Sequence, residues 1–275
     1  MSTLGELYKE LLKTPGLTAF DIRELILFET SFTTHDELLL HLDSPWQPTS
    51  LFSNRLARLF QGEPIAYIVE SSTFFQHRFM VNPNVLIPRP ETEELINLVL
   101  EKTKSMKQTL HIIDIGTGSG AIACILKKLR QEWSVGASDI DSKALKVAKQ
   151  NASNLNIHID FRKGSDLQPW VDEPIEGIVS NPPYILDPKT IDESVWAYEP
   201  HHALITKQDE SLFDPLLRAF NTIPTLQFVA FELFEGWKPW IERFLHHHSL
   251  DVNIEWIRDI NQKVRFAWIE RKRIK

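Results

Sequence analysis

One cysteine, Cys124, stands among 275 residues. That excludes an intramolecular disulfide framework and any cysteine-rich zinc module, and with them the usual marks of an oxidising compartment. Long apolar runs are also missing. The longest stretch free of Asp, Glu, Lys and Arg, Ala219 to Phe231, has thirteen residues and includes Asn221, Pro224 and Gln227, whereas a membrane-crossing helix needs about 20 apolar residues. The opening MSTLGELYKE lacks the basic flank and apolar core of a secretory signal, so the expected compartment is the cytoplasm. Positive charge is short as well: 30 Lys and Arg face 37 Asp and Glu, a net charge of −7. The deficit holds through Val85 (6 basic, 10 acidic) and after it (24 and 27). Neither part is a basic nucleic-acid arm, which weakens any function that needs tight sequence-independent binding to duplex DNA.

What remains is an ordinary globular balance, 43% hydrophobic and 24% charged, with length for two unequal domains. From Leu4 to about Gln61 apolar residues recur at helical spacing, as in Leu4, Leu7, Tyr8, Leu11 and in Phe20, Ile22, Leu25, Ile26. The pattern predicts a small helical bundle over residues 1–62. Thr34 followed by Glu37 reads as a capping box that opens its third helix. From Ile65 to Ile87 β-branched and aromatic residues take over, which predicts a β-hairpin linker over 63–84. After a helical stretch beginning at Pro90, apolar strand-like runs alternate with helical patterns from Leu110 to Val179, the signature of an α/β doubly wound sheet over 85–275. Further strands are expected at Gln227 to Leu233, Leu250 to Ile257 and Val264 to Glu270, with helices near Leu212 to Phe220 and Trp237 to Leu245.

The chemistry begins at Asp114-Ile115-Gly116-Thr117-Gly118-Ser119-Gly120, which follows a strand and opens a helix. Glycines there let the chain turn tightly and let a ligand approach the backbone. The spacing is G-x-G-x-G, and the lysine of a P-loop is absent, which disfavours dinucleotides and triphosphates. About twenty residues on, Asp139 ends the second strand, where a carboxylate can accept both hydroxyls of a ribose. Together the loop and Asp139 point to an adenosine moiety. Asp114 either meets the ligand or ties down the loop.

Asn181-Pro182-Pro183-Tyr184 follows the strand Ile175 to Val179, at the carboxyl end where open α/β sheets bind ligands. Asn181 and Pro182 each precede a proline and are pushed to extended conformations, and each proline has a fixed φ and no N–H. The Asn181 side-chain oxygen and the Pro182 carbonyl then stand as two fixed acceptors. Such a pair suits an NH2 on an sp2 carbon, since it takes both protons and holds the nitrogen in place. Tyr184 can stack on the planar group.

These residues resemble S-adenosyl-L-methionine-dependent methyltransferases that modify amides and exocyclic base amines. The resemblance implies a Rossmann-like, seven-stranded sheet ending in a reversed hairpin, and a direct displacement on a sulfonium methyl that yields S-adenosyl-L-homocysteine. An amide nitrogen is a weak nucleophile and no strong base is in view, so positioning carries the reaction: the nitrogen must sit about 3 to 3.5 Å from the methyl and in line. The tetrapeptide alone leaves adenine and glutamine amide both open as targets.

Two further segments narrow the choice. Gly62-Glu63-Pro64-Ile65-Ala66-Tyr67-Ile68 and Val85-Leu86-Ile87-Pro88-Arg89-Pro90-Glu91-Thr92-Glu93 are similar to the HemK-type protein-(glutamine-N5) methyltransferases. The likeness continues at Ala144-Leu145, Asn151-Ala152, Glu199-Pro200 and Ala203-Leu204. It implies methylation of the glutamine in the Gly-Gly-Gln loop of peptide chain release factors by a monomer whose helical domain recognises the substrate and is joined to the catalytic domain, without stable nucleic-acid or membrane partners. Carried over, Gly116 to Gly120 line the cofactor's methionine end, Asp139 its ribose, and Asp166-Leu167 its adenine edge. Asn181 to Tyr184 hold the glutamine, with Asn181 also bordering the cofactor, and Arg89 and Thr92 shape the cofactor or substrate entrance. Glutamine methylation of a ribosomal protein, N6-adenine methylation and a non-catalytic cofactor-binding adaptor are the competing readings.

The chain departs from that family's pattern at Glu70 and His77, where the hairpin has glycines. Further departures are Ile205 to Glu210, Trp237 in place of a glutamine, and Gln262 in place of a glycine. None falls in the cofactor loop or the tetrapeptide. Three other features have plain structural readings. His246-His247-His248 point in different directions on a helix and make no metal site. Cys124 belongs to the core, and Arg271 to Lys275 form a solvated tail.

Overall fold

The computed structural model describes residues 3–30, 32, 34–106, 109–207 and 213–272. The chain divides into two compact units, Met1–Ser71 with Asp192–Tyr198, and Ser72–Ile191 with Glu199–Lys275. The first is built from α1 (Leu4–Leu11), α2 (Ala19–Thr30), α3 (His35–Leu40), α4 (Ser50–Phe60) and the single turn α5 (Ile65–Ile68). Thr34 and Glu37 form the expected capping box, and Thr3 with Glu6 forms a second at α1. Each box satisfies backbone N–H groups that a helix start leaves unpaired. Leu4, Ile22, Leu25, Ile26, Leu38 and Phe52 make the core of this unit.

Helix α5 corrects the strand expected to begin at Ile65. Ile65, Tyr67 and Val69 alternate as a strand would, but Ile65, Ile68 and Val69 also have helical spacing, and these three bury in the helical core. The N–H groups of Tyr67 and Ile68 both donate to the Pro64 carbonyl. The hairpin is therefore shorter, β1 (Ser71–Phe74) and β2 (His77–Met80). Its turn residues Phe75 and Gln76 have φ of 49° and 62°, and Glu70 has 51°. His77 lies within β2, so the left-handed positions of this hairpin fall one and two residues before it.

The second unit continues with α6 (Pro90–Lys102), β3 (His111–Ile115), α7 (Ala121–Leu129), β4 (Ser134–Asp139), α8 (Ser142–Asn154), β5 (Asp160–Lys163) and β6 (Gly177–Ser180). A short α9 (Glu193–Tyr198), which the sequence pattern did not suggest, rejoins the first unit, where the Tyr198 phenol donates to the Gln61 carbonyl at 2.9 Å. Then follow α10 (Phe213–Thr222), β7 (Phe228–Glu232), α11 (Lys238–His247), β8 (Val252–Arg258) and β9 (Val264–Arg271). Residues 208–210 of the Ile205 to Glu210 departure, Leu212 and residues 273–275 of the expected tail lie outside the described residues. Arg271 is not part of a solvated tail: it ends β9, and its guanidinium donates to the Leu226, Phe220 and Ile223 carbonyls.

The sheet has seven strands in the order β5-β4-β3-β6-β7-β9-β8. All pairings from β5 to β7 are parallel, and β9 runs antiparallel between β7 and β8. This is the expected α/β sheet with its reversed terminal hairpin. Both faces are covered, so successive strand residues are apolar: Phe228 and Ala230 enter one core, and Val229 and Phe231 the other. Helices α6, α7 and α8 contribute to the first core, α10 and α11 to the second. Gly136 of β4 is obligatory, because a Cβ there would meet the Trp170 ring at 2.3 Å. The strand order reverses at β3, which pairs with β4 on one side and β6 on the other, so the carboxyl ends of these strands frame the crevice where such sheets bind ligands.

Among the described residues no helix is long and apolar enough to cross a membrane. Cys124 is fully buried in the core. At the end of α11, His246 and His247 are exposed, and His248 stacks on Phe244.

Candidate active site

Between β3 and α7 the chain turns through Gly116, Gly118 and Gly120, with φ of 74°, 53° and 81°. An L side chain is strained at each. At Gly120 a Cβ would also press on the Ala148 Cβ at 3.0 Å. The N–H groups of Gly116 and Thr117 donate to the Ser138 carbonyl at 2.9 and 3.0 Å, tying the loop to the end of β4. Asp114 holds it from below. Its Oδ2 accepts from the Thr117 hydroxyl at 2.6 Å and from the Ala123 N–H at 3.2 Å. Its Oδ1 is buried with no hydrogen-bond partner among the described residues. Burial raises its pKa to about 7 against the effect of those two bonds. Of the two roles open to Asp114, the geometry gives it the tying one.

Asp139 ends β4 and faces the same crevice. Oδ2 accepts from the Gly118 N–H at 2.9 Å and Oδ1 from the Asp141 N–H at 2.9 Å. The carboxylate is thereby held in one rotamer while each oxygen keeps a lone pair for a ligand hydroxyl. Burial raises its pKa, opposed by these backbone bonds.

The crevice is a cavity of about 610 Å³ lined by Gly116, Thr117, Gly118, Ser119, Asp139, Asp166, Asn181 and Pro183, with Arg89, Thr92, Ile140 and His202 also on its wall. Its size is that of a small-molecule site. Gly120, Leu167, Pro182 and Tyr184 do not line it. Leu167 instead packs on the core beneath β3 and β6. Asp166 has a φ of 42° and accepts the Leu167 N–H through its own side chain at 2.5 Å, which shapes the floor at that end. A narrow glycine cradle, a fixed carboxylate at the adjacent strand end and a cavity of this size fit an adenosine-bearing cofactor with no phosphate to neutralise.

At the other end of the cavity stands Asn181. Its Nδ2 donates to the Thr92 hydroxyl oxygen at 3.1 Å, and the Thr92 hydroxyl donates to Glu232 Oε2 at 2.7 Å. Neither Asn181 Oδ1 nor the Pro182 carbonyl has a hydrogen-bond partner among the described residues. The Tyr184 phenol donates to Glu232 Oε1 at 3.3 Å, and the Trp237 indole N–H donates to the Tyr184 carbonyl at 2.8 Å. Burial and the Glu232 carboxylate push the phenol's pKa up. Thus the ring expected to stack on a ligand is tethered at both its hydroxyl and its backbone, and Trp237, one of the departures from the family pattern, supplies one tether.

Neither Arg89 nor Thr92 caps α6 with its side chain. Arg89 pairs with Glu199, which also accepts the Ile87 N–H at 3.2 Å. Sequence reading missed Glu232 altogether. The one signal it offered was a carboxylate closing an otherwise apolar strand, Phe228 to Phe231, at the ligand-binding end of the sheet.

Residues 93–207 match the model of the Methyltransferase small domain family. The chain is 37% identical over 257 residues to a release factor glutamine methyltransferase of Bacillus subtilis (strain 168), covering 88% of each chain. It is 35% identical over 251 residues to one of Staphylococcus aureus (strain NCTC 8325 / PS 47), covering 87% of each. Among solved structures, a methyltransferase from Pyrococcus furiosus superposes with a TM-score of 0.53 at 20% identity, over 81% of this chain and 100% of that one, a likeness of fold. Sequence identity at that level, sustained along nearly the whole length, means that this chain belongs to the release factor glutamine methyltransferase family.

Proposed function

We propose that this protein transfers the methyl group of S-adenosyl-L-methionine to the side-chain amide nitrogen, N5, of the glutamine in the Gly-Gly-Gln loop of peptide chain release factors. In this reading Gly116 to Ser119 receive the methionine end, Asp139 the ribose hydroxyls, and Asp166 the adenine edge. The cofactor, when bound, supplies an electrophilic methyl on a sulfonium. The chain's own task is to place a poor nucleophile against it. Asn181 Oδ1, on the cavity wall, and the Pro182 carbonyl, carried between the wall residues Asn181 and Pro183, accept the two protons of the substrate NH2, which fixes the nitrogen and favours the positive charge that develops on it. No general base is assigned. The helical unit docks the factor away from the catalytic loop.

The observation that carries this reading is the Asn181 amide. Its nitrogen is committed to Thr92, so its acceptor end is the one left for a ligand. The test is methyl transfer from labelled cofactor to purified release factors, native and with the loop glutamine changed to alanine, with the product mapped by mass spectrometry. The expected result is label on that glutamine alone, absent from the alanine factor and from reactions with Asn181→Ala. Cofactor binding with no transfer to the native factor would sink the reading.

A further inference from the structure

We propose that Thr92 and Glu232 are positioning residues for methyl transfer, setting which end of the Asn181 amide is presented to the substrate. The inference rests on the reading above, in which Asn181 accepts from a substrate amide. An asparagine amide has an acceptor end and a donor end of nearly equal size, and shape alone does not choose between them. Thr92 does choose. Its hydroxyl carries one proton, and that proton is given to Glu232 Oε2 at 2.7 Å. What the hydroxyl has left is a lone pair, which can only accept, so Asn181 must turn its NH2 toward Thr92 and its oxygen toward the cavity. With the chain reversed, Asn181 would meet the substrate NH2 with donors of its own.

Glu232 is suited to dictate this direction. It is 2% exposed at the end of β7, and both its oxygens already accept, one from Thr92 and one from Tyr184. A carboxylate can only accept, whereas its protonated form can donate and so reverse the relay. The charged groups facing it are Glu91 from the start of α6 and Arg265 from β9. Arg265 is itself paired with Asp259 at 3.2 Å, and the remaining titratable neighbour is Tyr184 after β6. Burial raises Glu232 to about pH 7, opposed by Thr92, Arg265 and Tyr184. The relay thus runs in its productive direction above neutrality and loses it as the medium is acidified.

The experiment compares wild type with Thr92→Val, Thr92→Ser and Glu232→Gln by steady-state kinetics on a native release factor. Cofactor Kd is measured by calorimetry, and circular dichroism confirms folding. Valine keeps the shape of threonine and removes the relay. Its kcat should fall about 10- to 100-fold, the loss expected when one hydrogen bond to a group gaining charge in the transition state is misaligned. Its cofactor Kd should stay within about twofold, since no cofactor-holding bond is touched. Serine keeps the hydroxyl and should retain wild-type kcat within about threefold, the effect of one lost methyl. The wild-type kcat should show an acid limb near pH 7 that Glu232→Gln removes. A valine variant as fast as wild type overturns the proposal. So does a serine variant as slow as valine, which would mean packing, or a parallel rise in cofactor Kd. Inactive wild type would instead strike at the substrate assignment, so the two failures are told apart.

Discussion

Replacing Asp139 by asparagine changes one atom and tests the cofactor end of the site. The carboxylate accepts from two backbone N–H groups on opposite sides, Gly118 at 2.9 Å and Asp141 at 2.9 Å. An asparagine has one acceptor and one donor end. Whichever way it is turned, an NH2 faces one of those N–H groups, and one oxygen is lost to the ribose. Hydrogen bonds to a charged group contribute about 1.5–3 kcal/mol each, so losing one to the ligand weakens binding by roughly 10- to 150-fold. If the NH2 faces Gly118, the glycine loop loosens too, and the upper part of that range applies. The assay is calorimetric titration with S-adenosyl-L-methionine, paired with initial rates at varied cofactor and saturating release factor. Cofactor Kd and KM should both rise, while kcat at saturating cofactor stays within about threefold, as expected when a contact of equal strength in ground and transition states is removed. A Kd within a factor of about two of wild type, or a kcat that falls as far as Kd rises, would refute the assignment of Asp139 to binding rather than to catalysis.

Two further predictions concern stability. Asp114 and Glu232 both have folded-state pKa values raised by burial to about 7. Each therefore binds its proton more tightly folded than unfolded, and the stability this contributes is lost as pH rises through about 7. The Tm should be higher at pH 6 than at pH 8, and Asp114→Asn should reduce the difference, leaving the part due to Glu232; a Tm that falls on acidification over this window contradicts the argument. Asn151, 1% exposed, links β2 to the cofactor loop: Oδ1 accepts the Met80 N–H at 2.7 Å, and Nδ2 donates to the carbonyls of Met80 and Ser119, both at 2.9 Å. Asn151→Ala strands these groups and should cost about 2–5 kcal/mol in urea unfolding, with weaker cofactor binding because Ser119 lines the cavity. Loss of stability with unchanged cofactor Kd would show that the loop does not depend on the link.

Much of the site was legible because its parts are local. A glycine-rich loop after an apolar strand, an aspartate ending the next strand and a doubly proline-stiffened tetrapeptide after another each carry their meaning within a few residues. Backbone conformation there is set by the side chains present, by what glycine permits and proline forbids. The capping box at Thr34 was readable for the same reason. Where the local pattern served two periods at once, as at Ile65 to Val69, it could not decide, and packing in the helical core chose the turn.

The partnerships that orient the site were not legible, because they join residues far apart in the chain. Thr92 and Glu232 are 140 residues apart, Asn181 and Thr92 89, and Arg89 and Glu199 110. Nothing in the local sequence around any of these side chains names its partner. Only the parallel pairing of β6 with β7, with α6 packed over that side of the sheet, brings the Asn181, Thr92 and Glu232 side chains into hydrogen-bonding reach. By itself the sequence determined the local conformations and the kinds of chemical group on offer. Tertiary structure decided which of those groups meet, how deeply each is buried, and so which can only donate and which can only accept.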